Sequence, residues 1–266
     1  MKPGGEAGDK SGLSSFASGA LAVAEMEARK IRHNSTDLWV RAIQPALWLI
    51  VFGEALSQVR GLAPNGLGYV EFITPGILSQ SVLFVAIFYG VTLVWERDLG
   101  LLNKLMATPV PMSSIVVGKA LSAGIRGIFQ AIVIFALALI IGSGINVTLL
   151  NGIMVVVVVI LLAMCFSSLS MIIASIAKTR ERVMGLGQAM TFPLFFASNA
   201  IYPISIMPSW LQLLAEINPL TYGVDGIRTI LISGDFSTLP ADVGVLGLYA
   251  IMLLLVAARM VRRIVS

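Results

Sequence analysis

Six long apolar runs dominate this sequence. They cover residues 38–56, 72–95, 121–141, 147–177, 184–202 and 243–260. A bilayer core about 30 Å thick is crossed by about 20 helical residues, so each run is long enough to span it. Only 12% of the 266 residues are charged, against about 25% in an ordinary soluble domain. We therefore predict an all-α, polytopic membrane protein whose six transmembrane helices occupy residues 37–266.

The lysines and arginines predict the orientation of these helices. Sixteen of the 18 lie in segments on the side of the two termini, and only Arg60 and Arg228 lie on the other side. Because cytoplasmic loops are rich in lysine and arginine, we expect a multi-pass cell-membrane protein with both termini in the cytoplasm. The net charge of +4 is then a consequence of topology, and no nucleic-acid partner is expected.

Two further segments precede the first run. Residues 1–12 are polar and rich in glycine, which predicts a disordered tail. Residues 13–36 carry apolar side chains at three- and four-residue steps, typical of an amphipathic helix lying in the cytoplasmic interface. Glu25 and Arg29 stand four residues apart on its polar face. This helix is either a simple anchor or a docking surface for a cytoplasmic partner.

The loop after the second run has helical features of its own. Residues 96–109 read ERDLGLLNKLMATP, and their leucines form the apolar stripe of a short helix that Pro109 ends. A plain connector needs no such helix. The segment is therefore either a second helix lying in the interface or an element built for docking.

The segment between the fifth and sixth runs is predicted to contain two helices too short to span a membrane. Asn218 and Pro219 separate them, and Asp225 and Arg228 stand three residues apart in the second. Trp210 and its neighbours make the segment too apolar for a free loop. We therefore expect re-entrant helices that dip into the outer leaflet or pack back on the bundle.

The fifth run has the most distinctive side chains of the six. Its polar and aromatic residues are predicted to share one face, and they are Gln188, Thr191, Phe192, Phe195 and Asn199. Such a face suits either hydrogen-bonded helix packing or the path of an amphiphilic substrate.

Ionisable side chains are scarce within the runs, which bears on the rival functions. An ion-coupled carrier or channel places such groups in mid-membrane, and here Arg41 and Arg126 lie near the inner edge and Glu54 near the outer one. That class is the alternative, and it requires Glu54. An intramembrane enzyme needs paired carboxylates, a Ser-His pair or metal ligands. With one histidine, one cysteine and no phosphate-binding loop before Lys119, we expect no catalytic residue and no metal site.

Four segments resemble the membrane subunit of ABC exporters of the type-2 permease family. They are residues 24–53, residues 96–109 together with Gly118 and Lys119, residues 207–211 (MPSWL) and residues 218–228 (NPLTYGVDGIR). The resemblance covers about residues 20–266, and the second and fourth segments are the more specific ones. Within the family, the pattern is closer to the drug-resistance and nodulation permeases than to the O-antigen and teichoic-acid group.

The resemblance implies a homodimer or heterodimer in membrane lipid, working with two copies of a separate ATP-binding cassette subunit. That subunit would hold ATP and magnesium, so no cofactor is expected in this chain. The substrate would be an amphiphilic, drug-like molecule or a lipid-linked oligosaccharide moved out of the cytoplasm, near the first, second and fifth runs. Residues implied in coupling to the ATPase are Glu25, Arg29, Glu96, Arg97, Gly100, Leu101, Lys104, Leu105, Thr108 and Pro109.

Overall fold

The computed structural model of the chain describes residues 7–33, 36–57, 67–107, 111–145 and 148–261. The regular elements in these ranges are all helical, in agreement with the predicted all-α class. The α helices are α1 (Ala7–His33), α2 (Thr36–Ser57), α3 (Tyr69–Ile87), α4 (Tyr89–Asp98), α5 (Leu101–Met106), α6 (Met112–Ile141), α7 (Leu149–Ala177), α8 (Arg180–Phe196), α9 (Ser209–Glu216), α10 (Pro219–Arg228) and α11 (Leu239–Met260). A short 3-10 turn (Ile204–Ile206) precedes α9, and a π-helical turn (Thr229–Ser233) extends α10.

Five helical stretches in the described residues are long and apolar enough to cross a membrane. They are Leu38–Ser57, Tyr69–Asp98, Met112–Ile141, Leu149–Ala177 and Leu239–Met260. These stretches correspond to the first four predicted runs and the sixth. The chain is therefore built as a membrane protein with several spanning helices.

The fifth predicted run differs from the others. α8 has only 17 residues, and the four residues after it form turns. It begins earlier than expected because the Thr179 side chain caps it, accepting a backbone N–H of the first turn. At the other end Asn218 donates to the carbonyl oxygens of Leu194 and Ala197. The last carbonyl groups of a helix have no N–H partner within the helix, and the Asn218 amide supplies one. Six spanning helices are therefore not confirmed by length and composition.

α3 and α4 form one spanning stretch with a break at Phe88. The Ser170 hydroxyl of α7 lies at this break, where it donates to the carbonyl of Ile87 and accepts from the backbone nitrogen of Gly90 at 2.8 Å. A Cβ on Gly90 would lie 2.4 Å from the carbonyl oxygen of Ser170, so this close approach requires glycine. α7 thereby holds the bend that places α4 against α7 and α8.

α7 lies at the centre of the bundle. Val158, Val159, Leu162 and Phe166 are buried in the larger of two hydrophobic clusters, and α3, α6, α10 and α11 pack around them. The smaller cluster includes Leu102 and joins α1, α4 and α6 to the ends of α7 and α11. We call this end of the bundle the α5 end, and the opposite end, which carries α9 and α10, the α10 end.

The boundaries of α1 differ from the prediction. The helix begins at Ala7, so residues 7–12, expected as part of a disordered tail, are helical, while residues 1–6 lie outside the described residues. Each residue added to an existing helix gains a backbone hydrogen bond, which allows this polar start to extend the segment behind it. α1 ends at His33, and α2 begins at Thr36.

α1 packs on α6 through small side chains. Ala20, Val23 and Ala24 are buried, and a Cβ on Gly118 of α6 would lie 2.6 Å from the carbonyl oxygen of Ala20. Leu21 is 64% exposed and lies outside this contact. The contact with α6 decides which face of α1 is buried. The predicted position of α1 as an amphipathic helix in the membrane interface is not confirmed.

The two short helices before α11 are present, as the sequence predicts. Asn218 caps α10, accepting from the backbone nitrogen of Leu220, and Pro219 occupies the first turn. α10 packs against α3, α7 and α11, whereas Trp210 of α9 is 66% exposed. Gly234 ends the π-helical turn with φ +66°. Packing of α10 on the bundle is thus observed, and a re-entrant dip into lipid stays a prediction.

Candidate functional site

Five charged side chains at the α5 end form what we call the ion network: Glu27, Lys30, Glu96, Lys119 and Arg126. Lys119 Nζ lies 2.5 Å from Glu96 Oε2 and 3.3 Å from Glu27 Oε1. Lys30 Nζ lies 2.9 Å from Glu27 Oε1 and 3.0 Å from Glu96 Oε1. Arg126 stands further away, with Nη2 3.8 Å from Glu27 Oε2. The network therefore joins α1, the end of α4 and α6 through charge.

Local helix geometry explains why these side chains meet. Val23 and Glu27 lie one turn apart on α1, and Lys119 and Arg126 lie two turns apart on α6, so each pair shares a face. Gly118 allows the backbone of α1 to approach α6 closely. The same contact that buries Val23 therefore brings Glu27 to Lys119.

The centre of the ion network is withdrawn from solvent. The side chain of Glu27 is fully buried and that of Lys119 is 1% exposed, while Lys30 remains about half exposed. Charges in such surroundings are tolerated only when they are paired and hydrogen-bonded, and removing one partner costs about 3–5 kcal/mol. The network thus holds α1, α4 and α6 in one arrangement.

The pKa shifts on α1 agree with this pairing. Burial alone would raise the pKa of Glu27, but the nearby ammonium groups of Lys119 and Lys30 outweigh burial and lower that pKa below its ordinary value. Burial alone would lower the pKa of Lys30, but its hydrogen bond to Glu27 and the charge of Glu96 raise it. Both side chains are therefore held in their charged forms.

The tip of α4 is attached to the α7–α8 turn by a second set of contacts. Arg97 donates to Asp98 Oδ1 at 2.7 Å and to the carbonyl oxygen of Lys178 at 2.9 Å. Arg180 lies 3.1 Å from Asp98 Oδ2, and its guanidinium stacks 5.1 Å from the ring centroid of Trp95. Neighbouring residues of α4 thus bind opposite sides of the bundle, since Glu96 contacts α1 and α6.

α5 follows this tip after a tight turn. Gly100 has φ +69°, a conformation that glycine adopts at no steric cost. Leu102 is fully buried and anchors α5, whereas Leu101 and Lys104 are exposed. The anchored helix therefore presents an outward face at the α5 end.

The predicted coupling residues fall into three groups. Glu96 and Arg97 take part in the contacts above, and Gly100, Leu101 and Lys104 form the turn and the outward face. Glu25 and Arg29 are exposed and bind each other at 2.6 Å. The side chain of Leu105 and the residues Thr108 and Pro109 lie outside the described residues.

Sequence reasoning missed four members of the ion network: Glu27, Lys30, Lys119 and Arg126. Two signals pointed to three of them, and none pointed to Lys30. Glu27 lies four residues after Val23, on a face otherwise made of apolar and small residues, and such a buried carboxylate needs a partner. Lys119 and Arg126 interrupt an apolar helix at a seven-residue spacing, which places them on one face.

The five residues singled out on the fifth run differ in their exposure. Thr191, Phe195 and Asn199 are buried, while Gln188 and Phe192 are exposed. The Thr191 hydroxyl bonds to the carbonyl of Gly187, four residues earlier, at 2.6 Å. The inward residues therefore pack the helix, and the outward pair remains available to a partner or a ligand.

At the α10 end, a polar cluster ties α10 to the end of the fifth run. Asn199 Nδ2 donates to Asp225 Oδ1 at 2.5 Å, and Arg228 Nη2 donates to the carbonyl oxygen of Asn199 at 2.8 Å. Arg228 also lies 3.1 Å from Asp225 and 4.4 Å from the ring centroid of Phe72 in α3. The predicted Asp225–Arg228 pair is thus present and fixes α10 to α3 and to the turns after α8.

Three side chains or groups bear on the rival functions. Glu54 is exposed near the end of α2, and its carbonyl accepts from Ser57 at 2.7 Å. No group of three or more His, Cys, Asp or Glu suited to a metal ion is found among the described residues. Cys165 is buried in the core.

Comparison with known proteins links this architecture to membrane transport. Residues 20–232 match the family described as ABC-2 type transporter. The chain is 30% identical over 200 residues to the transport permease ycf38 of Porphyra purpurea, covering 73% of this chain and 67% of that protein. It is 24% identical over 254 residues to the inner membrane transport permease YadH of Escherichia coli (strain K12), covering 91% and 95%. Nodulation protein J of Rhizobium meliloti (strain 1021) is 24% identical over 221 residues, covering 82% and 83%.

The matched range includes every residue of the ion network and the polar cluster at the α10 end. Two of these relatives are named transport permeases, a role that belongs to a membrane subunit rather than to an enzyme. The family model covers most of the chain, from within α1 to the turn after α10. The chain therefore belongs to the ABC-2 type transporter family.

Proposed function

We propose that this chain is the permease subunit of an ATP-driven exporter. ABC-2 permeases normally work with an ATP-binding cassette subunit, and we infer two permease chains, identical or different, with two copies of that subunit. The partner subunits bind ATP with magnesium. The observation that carries the proposal is the ion network. It connects the end of α4, which leads into α5, to α1 and α6 through buried charge.

Coupling then follows from the two attachments of α4. Leu101 and Lys104 offer an exposed face on which a cassette subunit can press. A displacement of α5 moves α4, and Glu96 carries the movement to α1 and α6 while Arg97 carries it to the α7–α8 turn. A loop that only joined two spans would need neither attachment.

The proposed topology has six crossings. α8 together with the turns after it makes the fifth crossing, which places the α5 end and both termini in the cytoplasm and the α10 end outside. The distribution of the lysines and arginines supports this orientation, because all but Arg60 and Arg228 fall on the side proposed to be cytoplasmic.

The proposed cargo is an amphiphilic molecule, either drug-like or a lipid-linked oligosaccharide. The exposed side of α8 supports a path on this surface, since Gln188 offers hydrogen bonds and Phe192 and Phe196 offer stacked aromatic rings. A second permease chain facing α2 and α8 would complete the path. Thr191, Phe195 and Asn199 shape it from inside the protomer.

Coexpression with a candidate ATP-binding cassette subunit, chosen because it co-purifies with this chain, tests the proposal. Leu101→Asp is expected to weaken co-purification of the ATPase, and Arg97→Gln is expected to preserve co-purification but remove the stimulation of ATP hydrolysis by substrate. Arg259→Gln, an exposed cation of α11, is the matched control and should behave as wild type. Unchanged stimulation in both variants would refute coupling through this tip.

A Glu54 variant distinguishes the exporter from the ion-coupled carrier or channel. We expect Glu54→Gln to transport normally and export to depend on ATP. Export that follows a proton or sodium gradient and stops in Glu54→Gln would replace the exporter proposal with a secondary carrier.

A further inference from the structure

A cavity of about 410 Å³ lies beside the ion network, and residues of α1, α2, α3, α4 and α6 line it. Three cationic residues line it, namely Lys30, Arg41 and Arg126, and no carboxylate is among its described lining residues. Apart from Thr92, the rest of the wall is aromatic and aliphatic. A concave site with cations at one side and apolar surface at the other suits an anionic amphiphile.

Within the ion network, Arg126 is the cation whose pairing is least complete. Its Nη2 stands 3.8 Å from Glu27 Oε2, which is beyond hydrogen-bond length. Its Nε is buried and has no hydrogen-bond partner among the described residues, and the same holds for Glu27 Oε2. A closer Arg126–Glu27 contact would satisfy that oxygen but would not change the charge balance. Three cations share two carboxylates in the ion network, so one positive charge is left over. Because buried donors are rarely left unsatisfied, the geometry favours an acceptor in the cavity.

Aromatic rings hold two of the guanidinium groups in place. Arg41 lies 4.2 Å from the ring centroid of Phe88, and Arg126 lies 5.2 Å from that of Tyr89. Stacking uses the flat face of a guanidinium, whereas its N–H donors lie in the plane. Such donors match the oxygens of a phosphate group in bidentate geometry.

The cavity lies at the level where α2 begins. Gln130 of α6, one turn after Arg126, donates to the carbonyl oxygen of Leu38 at 2.9 Å, and Leu38 itself lines the cavity with Val85. In the proposed topology this is the headgroup level of the cytoplasmic leaflet. A lipid whose phosphate group lies at Arg126 would therefore place its first aliphatic carbons against Leu38 and Val85.

We propose that this cavity binds the phosphate group of an anionic, phosphate-bearing lipid, with Arg126 as its main contact and Lys30 and Arg41 at its rim. The bound lipid would complete the charge balance of the ion network and sit against the α1–α2–α4 junction. This site does not depend on which cargo the protein exports, and its test needs no transport.

Native mass spectrometry of the full chain, purified in detergent with equal amounts of phosphatidylglycerol and phosphatidylcholine, tests the proposal. Wild type is expected to retain phosphatidylglycerol preferentially. Arg126→Gln should reduce this retention about tenfold, the loss expected for one charge-assisted hydrogen bond, whereas Arg126→Lys should keep most of it. Arg259→Gln is the control for loss of one positive charge outside the cavity.

The Thr92→Trp variant tests lipid binding without removing any charge of the ion network. Thr92 lines the cavity and belongs to no ion pair, so a bulky side chain there should displace the lipid and leave every charge in place. Equal retention of both lipids by wild type, or wild-type retention in both Arg126→Gln and Thr92→Trp, would overturn the proposal.

Inorganic phosphate as a competitor identifies the source of the recognised group. Displacement of phosphatidylglycerol by inorganic phosphate would assign recognition to the phosphate alone, so that free phosphorylated solutes also fit. Retention in the presence of inorganic phosphate would assign it to the whole headgroup and adjoining chains of a lipid. Both outcomes support an anionic phosphate site.

Discussion

Replacing Glu27 by glutamine removes one of the two carboxylates that three cations share at the α5 end. Glu96 then faces Lys30, Lys119 and Arg126 alone, and the net charge of the ion network rises from +1 to +2. Lys119, whose side chain is 1% exposed, keeps only its contact with Glu96 at 2.5 Å. Losing one partner of a buried pair costs about 3–5 kcal/mol, and because Lys30 is half exposed we expect about 3 kcal/mol.

The partner variant Lys119→Met should be milder. Lys30 still binds both carboxylates, and the ion network becomes neutral, so we expect a loss of about 2 kcal/mol. In the double variant Glu27→Gln with Lys119→Met, the net charge returns to +1. The double variant should therefore be more stable than the sum of the single effects by about 1–3 kcal/mol.

The free energy of unfolding of the purified full chain in mixed detergent micelles is the quantity to measure. Glu25→Gln is the matched control, because Glu25 lies on the same helix but its side chain is exposed; its effect should stay within about 0.5 kcal/mol. If Glu27→Gln unfolds like Glu25→Gln, or if the double variant shows simple additivity, the charge argument is wrong.

Three other predictions concern the attachment of α1 and the end of α8. Gly118→Ala places a Cβ 2.6 Å from the carbonyl oxygen of Ala20, so it should cost about 1–3 kcal/mol and speed protease cleavage within α1. Asn218→Ala leaves two carbonyls at the end of α8 and one backbone N–H of α10 without their partner; it should lower the free energy of unfolding by about 1–3 kcal/mol, whereas Asn218→Asp restores only the N–H contact. Protection of α1 from protease should be constant between the ordinary pKa values of Glu27 and Lys30, 4.5 and 10.5. It should fall as the pH drops through the lowered pKa of Glu27 or rises through the raised pKa of Lys30, and loss of protection near neutral pH would contradict this.

Much of the fold could be predicted from local pattern alone. Five of the six runs became helices long enough to cross a membrane, since length and apolarity are properties of consecutive residues. Asn218 and Pro219 separate α9 from α10 as expected, because capping depends on neighbours in the chain. Gly234 ends the following turn for the same reason.

The features that the sequence did not reveal depend on distant residues. Glu27 and Lys119 are 92 residues apart, and no local pattern states that a glycine before Lys119 admits α1. α8 ends early, where the side chain of Asn218, the residue that caps α10, donates to the carbonyl oxygens of Leu194 and Ala197. Gln188 and Phe192 are exposed whereas Thr191 is buried, and this difference likewise depends on which helices lie beside α8.

The dependence of α1 on Lys119 bears on protein engineering with relatives of this chain. A chimaera that takes its first helix from one permease and the remainder from another would keep the glycine contact only if its donor has small residues at the positions of Ala20 and Ala24. It would also need a carboxylate at the position of Glu27, or Lys119 would face an unbalanced site. The first helix is thus not an interchangeable module, and successful grafts should carry both halves of the pair from a single parent.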